Sequence, residues 1–329
     1  MPERPDLSDR FLGCLLGLAV GDALGAPYEG LTSSDIFFRF GAPDVIARNP
    51  SGDTLFYTDD TEMMIGVAET LVEHGEIRGV DLIKAFVANY HPERGYGRGA
   101  RQILETAQAG GDWKSVAETI FPGGSLGNGA AMRVAPVGLA FHADDDKVWE
   151  QARKSALPTH RHPIGIEGGQ LFALAVALAV RSDQIDRKEF LTTLYNRAET
   201  EEFRWCLRAA RRLRRGDSIS ALGSTLHAHQ SVGTAIACFA ACPADYELAV
   251  GRAIGLGDDT DTLAAMTGAL CGAFGGVKAI PAVLLDKLED GQNPKGKSHI
   301  IQLATRLYER FQPEKTFYPQ MNADKRGSD

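Results

Sequence analysis

Residues 255–262 read GLGDDTDT and stand immediately before an apolar, helix-like run at 263–274. The stretch brings three carboxylates and two threonine hydroxyls together within five residues. Oxygens packed this closely repel one another unless a cation or several hydrogen-bond donors lie among them. A second group of the same character, YTDDT at 57–61, begins another helical pattern far upstream. Two such turns, each at the start of a helix, predict a site for divalent metal ions.

The donor atoms of the two turns are carboxylate and hydroxyl oxygens, with no Cys or His close by, and such donors favour hard cations such as Mg²⁺, Mn²⁺ or Ca²⁺. An EF-hand is excluded, because a calcium loop opening at Asp59 or Asp258 needs a glutamate in twelfth place, where Thr70 and Ala269 stand. Taken singly, each turn also fits a helix N-cap, since Asp and Thr are preferred there. Capping needs one such residue and each turn supplies several, so the pair favours the metal site.

Composition places the chain among ordinary globular proteins, with 329 residues, 44% hydrophobic and 24% charged. A formal net charge of -8 disfavours general nucleic-acid binding, and the basic run at 208–215 is interpreted as a solvated helix face. Five scattered cysteines indicate reduced thiols in a cytosolic protein. The N-terminus is charged, and apolar stretches such as 171–180 are too short to cross a membrane. We expect a cytoplasmic monomer without a membrane partner.

Helical periods dominate the chain, and alternating strand patterns are almost absent. A helix is expected at 10–24, capped by Ser8 or Asp9, with glycines at every fourth position that let another helix approach closely. Another is expected at 130–140. Residues 31–55 show no period and are either a functional flap or a disordered excursion. The pattern predicts one all-α domain over residues 1–313, followed by a poorly ordered tail at 314–329.

A glycine-rich loop at 123–129 is the second candidate site. Its glycines let backbone N–H groups approach an anion, and Ser125 and Asn128 add polar contacts before a helix start. A plain tight connection explains the loop equally well, and the same holds for the glycines at 95–99. Beyond these loops, His160 stands at a helix entry, and Glu29 follows a proline near the first helix.

Taken together, these segments resemble the ADP-ribosylglycohydrolase family, which includes the dinitrogenase-reductase-activating glycohydrolase. The matching stretches are GCLLG at 13–17, GDALG at 21–25, YE at 28–29, YTDDT at 57–61, GNGAAMR at 127–133, TH at 159–160 and GDDTDT at 257–262. The resemblance implies an orthogonal all-α bundle around two Mg²⁺ ions, with Mn²⁺ as the alternative. Within the family, RGYG at 94–97 and GSLGNG at 124–129 resemble the branch that removes ADP-ribose from serine and also degrades poly(ADP-ribose) and O-acetyl-ADP-ribose.

The resemblance also assigns roles residue by residue. The positions that match metal ligands are Thr58, Asp59, Asp60, Asp259, Asp261 and Thr262. The substrate-binding set comprises Gly95, Gly124, Ser125, Leu126, Gly127, Asn128 and His160. Glu29 matches a flap glutamate that closes over the metals. Two positions depart from the branch: Leu126 stands where it usually has an aromatic residue, and Asp258 where it usually has glycine.

The expected reaction cleaves a glycosidic bond of the ribose through an oxocarbenium-like state, which requires leaving-group activation and a positioned water. Glu29, Asp60 and Asp259 are the candidate catalytic residues, with either Glu29 or Asp259 as the general base and the bridging Asp left open. Three alternatives remain: hydrolysis of the arginine linkage, a non-catalytic ADP-ribose-binding protein, and a metal-dependent phosphohydrolase. The expected partners are ADP-ribose, ADP-ribosylated proteins and the ADP-ribose polymer.

Overall fold

α-Helices make up the regular structure of this protein, as the sequence predicts. The computed structural model describes residues 5–48, 50, 52–214 and 217–312. The first nine helices within these residues are Leu7–Gly25 (α1), Ser33–Phe40 (α2), Pro43–Arg48 (α3), Asp59–His74 (α4), Gly79–Asn89 (α5), Arg98–Gln108 (α6), Trp113–Thr119 (α7), Gly129–Met132 (α8) and Ala135–Ala140 (α9). The other nine are Asp145–Ala156 (α10), Pro163–Arg181 (α11), Arg187–Arg197 (α12), Glu201–Arg212 (α13), Ala228–Ala241 (α14), Tyr246–Ile254 (α15), Thr260–Gly275 (α16), Ala282–Lys287 (α17) and Lys297–Phe311 (α18).

Extended structure in the described ranges is limited to isolated β-bridges, so the all-α prediction is confirmed. The buried hydrophobic side chains form one main cluster to which helices from both ends of the chain contribute. The tail predicted at 314–329 lies outside the described residues.

Helices α1 and α16 form the centre of the bundle, and glycines set their separation. A Cβ added at Gly17 would stand 2.3 Å from the carbonyl oxygen of Gly268, and one at Gly21 would stand 2.2 Å from that of Ala264. No side chain fits at these distances, so the backbones of the two helices touch directly. The prediction that the glycine stripe serves a close helix approach is confirmed.

The start of α1 differs from the expectation. Asp6, rather than Ser8 or Asp9, is the N-cap, and its carboxylate accepts a hydrogen bond from the Asp9 amide at 2.8 Å. Ser8 donates its hydroxyl to the same carboxylate at 2.7 Å, so its oxygen is engaged inside the first turn. The helix therefore begins at Leu7, three residues before the predicted start.

Two other segments correct the sequence-based expectations. Residues 31–55 contain α2 and α3, so most of the segment without a period is helical. The single helix predicted at 130–140 is two short helices, α8 and α9. The break lies at Arg133 and Val134, and Pro136, which lacks an N–H group, stands in the first turn of α9, where no helical partner is needed.

Within the part of the chain that the structure describes, two helical segments are long and apolar enough to cross a membrane by length and composition alone: Leu7–Tyr28, which is α1 with the 3₁₀ turn after it, and Pro163–Arg181, which is α11. The second of them extends well beyond the stretch 171–180 that the sequence indicated. In the folded protein, 83% and 89% of the most apolar 18-residue stretches of these two segments are buried, which is typical of core helices.

The site is built where three helix ends meet. The Thr260 hydroxyl, at the N-terminus of α16, donates to the Gly25 carbonyl at 2.9 Å and joins α16 to the C-terminal end of α1. Asp22, one turn before that end, accepts hydrogen bonds from the first turn of α4. The N-termini of α4 and α16 therefore lie side by side, and their dipoles favour negative charge between them.

Candidate metal centre

Asp22 organises the first acidic turn. Its buried carboxylate accepts hydrogen bonds from the Thr58 amide at 3.0 Å, the Thr58 hydroxyl at 2.8 Å, and the amide and hydroxyl of Thr61 at 3.0 and 2.5 Å. Burial raises the pKa of Asp22 to about 6, against the effect of these donors. The Thr58 hydroxyl gives its hydrogen to Asp22, and its oxygen accepts the Asp60 amide at 3.4 Å, which leaves one lone pair for a cation.

The two acidic turns meet. The Thr262 hydroxyl donates to Asp60 Oδ1 at 3.4 Å, and the Thr262 amide donates to Asp261 Oδ1 at 2.8 Å. Oxygens of Glu29, Asp259 and Asp261 lie within 4.8 Å of one another. Residues from α4, α16 and the loop after α1 thus form one acidic centre.

Electrostatics in this centre are unfavourable without a cation. Burial, followed by the charge of Asp22, raises the pKa values of Asp59 and Asp60 well above the usual carboxyl range. Burial and the neighbouring charges of Asp259 and Glu29 raise the pKa of Asp261 in the same way. The pKa of Asp259 rises to about 6 through burial, although Asn128 donates a hydrogen bond to it. Carboxylates that repel one another this strongly gain most from a bound positive charge.

The donors present fit a hard divalent cation. Asp60 Oδ2 is buried and has no hydrogen-bond partner in the described part of the chain. A buried acceptor of this kind is costly unless something binds it. Carboxylate and hydroxyl oxygens without thiol or imidazole are the ligands of Mg²⁺, Mn²⁺ or Ca²⁺.

A cavity of about 370 Å³ opens above the acidic centre. Most of the predicted site residues line it, namely Glu29, Asp59, Asp60, Gly95, Ser125, Gly127, Asn128, His160, Asp259, Asp261 and Thr262. Three predicted residues lie outside the wall. Thr58 lies behind it against Asp22, Leu126 packs against the core, and Gly124 lies against the backbone of residues 161–162, where a Cβ would stand 2.4 Å from the His162 nitrogen.

Asn128 joins the glycine-rich loop to the acidic centre. Its side-chain amide donates to Asp259 Oδ2 and, at 3.1 Å, to the Ser231 hydroxyl. Two backbone hydrogen bonds fix the loop to the start of α14. The backbone N–H of Asn128 donates to the Leu226 carbonyl at 3.0 Å, and the backbone N–H of Ala228 donates to the Leu126 carbonyl at 3.1 Å. The second candidate site and the metal centre therefore share one cavity.

The loop that carries Gly95 is anchored from below by Glu62. This buried carboxylate accepts hydrogen bonds from the His91 ring at 2.7 Å and the Tyr96 hydroxyl at 2.6 Å. Arg94, from the same loop, pairs with buried Glu289, and Glu289 also accepts from the Tyr57 amide at 2.9 Å. The backbone before Thr58 is thus held by a residue close to the other end of the chain.

The segment that carries Glu29 is bonded to the second acidic turn. The Gly30 amide donates to the Asp258 carbonyl at 2.8 Å, and the Asp258 amide donates to the Leu31 carbonyl at 2.9 Å. Asp258 is the non-glycine residue with positive φ in the described chain, at 61°, and its carboxylate accepts from the Ser224 hydroxyl at 2.7 Å. This backbone pairing fixes Glu29 over Asp259 and Asp261.

Two residues that shape this site, Asp22 and Phe121, were not among the predicted site residues. Asp22 belongs to the conspicuous GDALG stretch, but only the fold shows that it clamps the Thr58 turn. Phe121 lines the cavity and packs over Gly99, where a Cβ would stand 2.6 Å from the ring. Phe121 therefore supplies an aromatic surface to the cavity wall. Its position just before the PGG turn at 122–124 was the available signal.

The fold and the site together define a class, an all-α enzyme whose centre is built from carboxylate and hydroxyl oxygens at helix N-termini. A sequence model of the family described as ADP-ribosylglycohydrolase matches residues 3–316, and the chain belongs to this family of hydrolases.

The sequences of individual relatives match this chain over most of their length. ADP-ribosylhydrolase ARH3 of Xenopus tropicalis is 34% identical, covering 83% of this chain and 89% of the relative. The protein of the same name in Danio rerio is 32% identical, covering 96% and 93%. A solved structure titled "ADP-ribosylglycohydrolase-related protein complex" matches with a TM-score of 0.70 and 29% identity, covering 92% of this chain and 98% of that one.

Proposed function

We propose that this protein is a metal-dependent hydrolase that releases ADP-ribose from serine on modified proteins, with poly(ADP-ribose) and O-acetyl-ADP-ribose as further substrates. The observation that carries the proposal is the meeting of Glu29, Asp259 and Asp261 within 4.8 Å at the wall of a cavity that also holds Asn128 and His160. The relatives named ADP-ribosylhydrolase ARH3 support the cleavage of an ADP-ribosyl linkage. The serine linkage rests on the resemblance at 94–97 and 124–129.

The cofactor in this proposal is a pair of Mg²⁺ ions, with Mn²⁺ as a substitute. The residues that would hold them are Thr58, Asp59, Asp60, Asp259, Asp261 and Thr262. When bound, such ions polarise a water molecule and ribose hydroxyls. The orphaned Asp60 Oδ2 and the mutual repulsion of the buried carboxylates are the features of this chain that support the assignment.

The residues of the chain supply the remaining chemistry. Glycosidic cleavage develops positive charge on the ribose, and the buried carboxylates stabilise that charge. Glu29 is exposed at the cavity mouth and is our candidate for the general base that takes a proton from the attacking water. The proton then passes from Glu29 to the departing serine oxygen, so the products are ADP-ribose and a free serine hydroxyl. Asn128 donates to Asp259 and holds its carboxylate in one orientation.

The cavity suits a ligand of this kind. Its volume of about 370 Å³ lies within the usual range for small-molecule sites. Glycines at 127 and 129 would let the backbone approach a phosphate, and Phe121 offers a flat apolar surface for a base. ADP-ribose carries both matching groups: phosphates for the glycine backbone and an adenine for the Phe121 surface.

The deciding experiment offers serine-linked, arginine-linked and polymeric ADP-ribose to the purified protein with Mg²⁺ and measures free ADP-ribose. We expect release from the serine-linked peptide and the polymer, and loss of that release with a chelator. Release from the arginine-linked substrate alone would reassign the linkage. Binding of ADP-ribose without any release would favour a non-catalytic role, and release of inorganic phosphate alone would favour a phosphohydrolase.

The cytoplasm is the location we propose. All five cysteines are free thiols, and burial raises the pKa of Cys206 and Cys238 to about 12 in each case, which keeps them protonated and unreactive. Free thiols persist in reducing compartments.

A further inference from the structure

Arg133 is fully buried at the C-terminal end of α8, where it forms part of the cavity wall together with Thr159 and His160. One of its nitrogens donates to the Ser155 carbonyl at 2.8 Å and to the Thr159 hydroxyl oxygen at 2.8 Å. Its guanidinium carbon lies 4.9 Å from the centre of the Phe86 ring. An arginine has only donors to offer, so the Thr159 oxygen acts as an acceptor in this contact.

The Thr159 hydroxyl has one hydrogen and two neighbours that could accept it. His160 Nδ1 lies 2.7 Å away and the Ala156 carbonyl oxygen lies 3.4 Å away. That carbonyl already accepts the Thr159 amide at 3.0 Å and the His160 amide at 2.9 Å, which occupy its two lone pairs. The hydroxyl hydrogen therefore goes to His160 Nδ1.

This hydrogen bond determines which nitrogen of the neutral His160 ring carries the proton. A neutral histidine whose Nδ1 accepts a hydrogen bond carries its proton on Nε2. The Nε2 atom lies on the side of the ring next to Gly129, where a Cβ would stand 3.4 Å from it, and both residues line the cavity. Burial and then the charge of Arg133 lower the pKa of His160 to about 3, so the ring stays neutral across the physiological range.

We propose that Arg133 and Thr159 are positioning residues that hold His160 as the Nε2–H tautomer, so that its ring presents a fixed, uncharged hydrogen-bond donor to the cavity. The acceptor is an oxygen of the bound ADP-ribose, and this last step rests on the proposed function. With the opposite tautomer the ring would turn a lone pair toward that oxygen and repel it. With Arg133 and Thr159 in place, the His160 ring offers one defined N–H donor, and that donor is the same across the physiological pH range.

The test starts with the tautomer itself. We would label the full-length protein with ¹⁵N-histidine, assign His160 by comparison with His160→Gln, and record long-range ¹H–¹⁵N correlations from about pH 5 to about pH 8. The wild-type ring should show protonated Nε2 and unprotonated Nδ1 at every pH. Protonated Nδ1, or a mixture of tautomers, would overturn the proposal.

Two substitutions at Thr159 distinguish the effect of its hydroxyl hydrogen bond to His160 from an effect of packing. Thr159→Ser keeps the hydroxyl and should retain the Nε2–H form, whereas Thr159→Val removes it and should give a mixture. Should the valine variant fail to fold, Thr159→Ala makes the same comparison. A valine or alanine variant that keeps pure Nε2–H would overturn the role of Thr159.

Ligand affinity supplies the second readout, measured by calorimetry with ADP-ribose. Thr159→Ser should bind like the wild type, and Thr159→Val should bind more weakly in proportion to its lost Nε2–H population, about twofold for an equal mixture of tautomers. Equal affinity in both variants would overturn the link between tautomer and ligand. If the wild type shows Nε2–H but binds no ADP-ribose, the tautomer assignment stands and the proposed function fails.

Discussion

Thr262 Oγ1 lies 3.4 Å from Asp60 Oδ1 and donates a hydrogen bond to it, joining two acidic turns that are 202 residues apart in the chain. The contact exists because α1 packs its glycine face against α16 while Asp22, on the same helix, holds the first turn of α4. One helix thus positions both turns. The metal-centre hypothesis required this proximity, and the fold provides it.

The first prediction concerns Asp60→Asn. Asp60 is buried among carboxylates that raise its pKa, so its ionised form costs free energy at neutral pH in the absence of a cation. Removing the charge should stabilise the cation-free protein by about 1–2 kcal/mol while abolishing Mg²⁺-dependent release of ADP-ribose. Urea denaturation with chelator present measures the first effect, and the ADP-ribose assay measures the second.

A matched control is Asp286→Asn, which changes an exposed aspartate on α17. It should alter neither stability nor activity. The prediction fails if Asp60→Asn is less stable than the wild type in chelator, or if it keeps full activity with Mg²⁺.

Asp22→Asn tests the clamp on the first acidic turn. The carboxylate accepts from two amides and two hydroxyls of Thr58 and Thr61, and a side-chain amide cannot accept them all because its nitrogen is a donor. We expect a loss of about 2–4 kcal/mol in the free energy of unfolding. Divalent-cation affinity, followed by calorimetry, should fall as well, since the Thr58 oxygen is no longer held in place.

The comparison for this variant lies on the same helix. Asp6→Asn changes the exposed N-cap of α1, where asparagine caps as well as aspartate, so stability should stay within about 0.5 kcal/mol of the wild type. Equal stability of the two variants would show that Asp22 does not clamp the turn.

The sequence predicted the two acidic turns and the glycine stripe, because both depend on residue types at fixed local spacing. It could not predict that Asp22 contacts Thr58 and Thr61, since that contact depends on how α1 and α4 pack. For the same reason Leu126 was placed in the site and Phe121 was not. Both lie in one loop, and only its fold decides which side chain reaches the cavity.

Local signals explain the misplaced helix boundaries. Pro136 marks the first turn of a new helix, so the break between α8 and α9 was readable from the chain. The helices α2 and α3 were harder to predict, because Phe37 and Phe38 are exposed and their apolar side chains do not mark a buried face. Ile36 alone is buried in α2, and a single buried position sets no period.

Gly17→Ala tests the packing of α1 against α16. The added Cβ would stand 2.3 Å from the Gly268 carbonyl oxygen and would force the helix backbones apart. Alanine favours an isolated helix by about 1 kcal/mol, but this overpacking should dominate and give a net loss of about 2 kcal/mol or more. Gly79→Ala, in the first turn of α5, is the control, because a Cβ there meets only the Pro158 side chain at 3.5 Å, an ordinary van der Waals contact, and stability should not fall. Equal thermal and urea stability of the two variants would contradict the packing argument.

The last prediction concerns Glu69 on α4, which joins that helix to α18. Its carboxylate contacts Lys295, the Asn89 amide at 2.9 Å and His299 Nε2 at 3.2 Å. Burial acts to raise the pKa of Glu69, but the hydrogen bonds from His299, Lys295 and Asn89 outweigh it and lower the pKa to about 2.

A folded-state pKa below the usual value of about 4.3 means that the ionised carboxylate stabilises the fold above that pH. This stabilisation disappears as the pH falls from about 4.3 toward about 2. Glu69→Gln should therefore cost about 1–3 kcal/mol at pH 7 and progressively less in acid, measured by urea denaturation at a series of pH values. Glu309→Gln, at an exposed position on α18, should follow the wild type throughout. Linkage requires the difference in unfolding free energy between Glu69→Gln and the wild type to shrink where the wild-type carboxylate becomes protonated. A difference that stays constant at every pH would show that the three donors do not favour the ionised form.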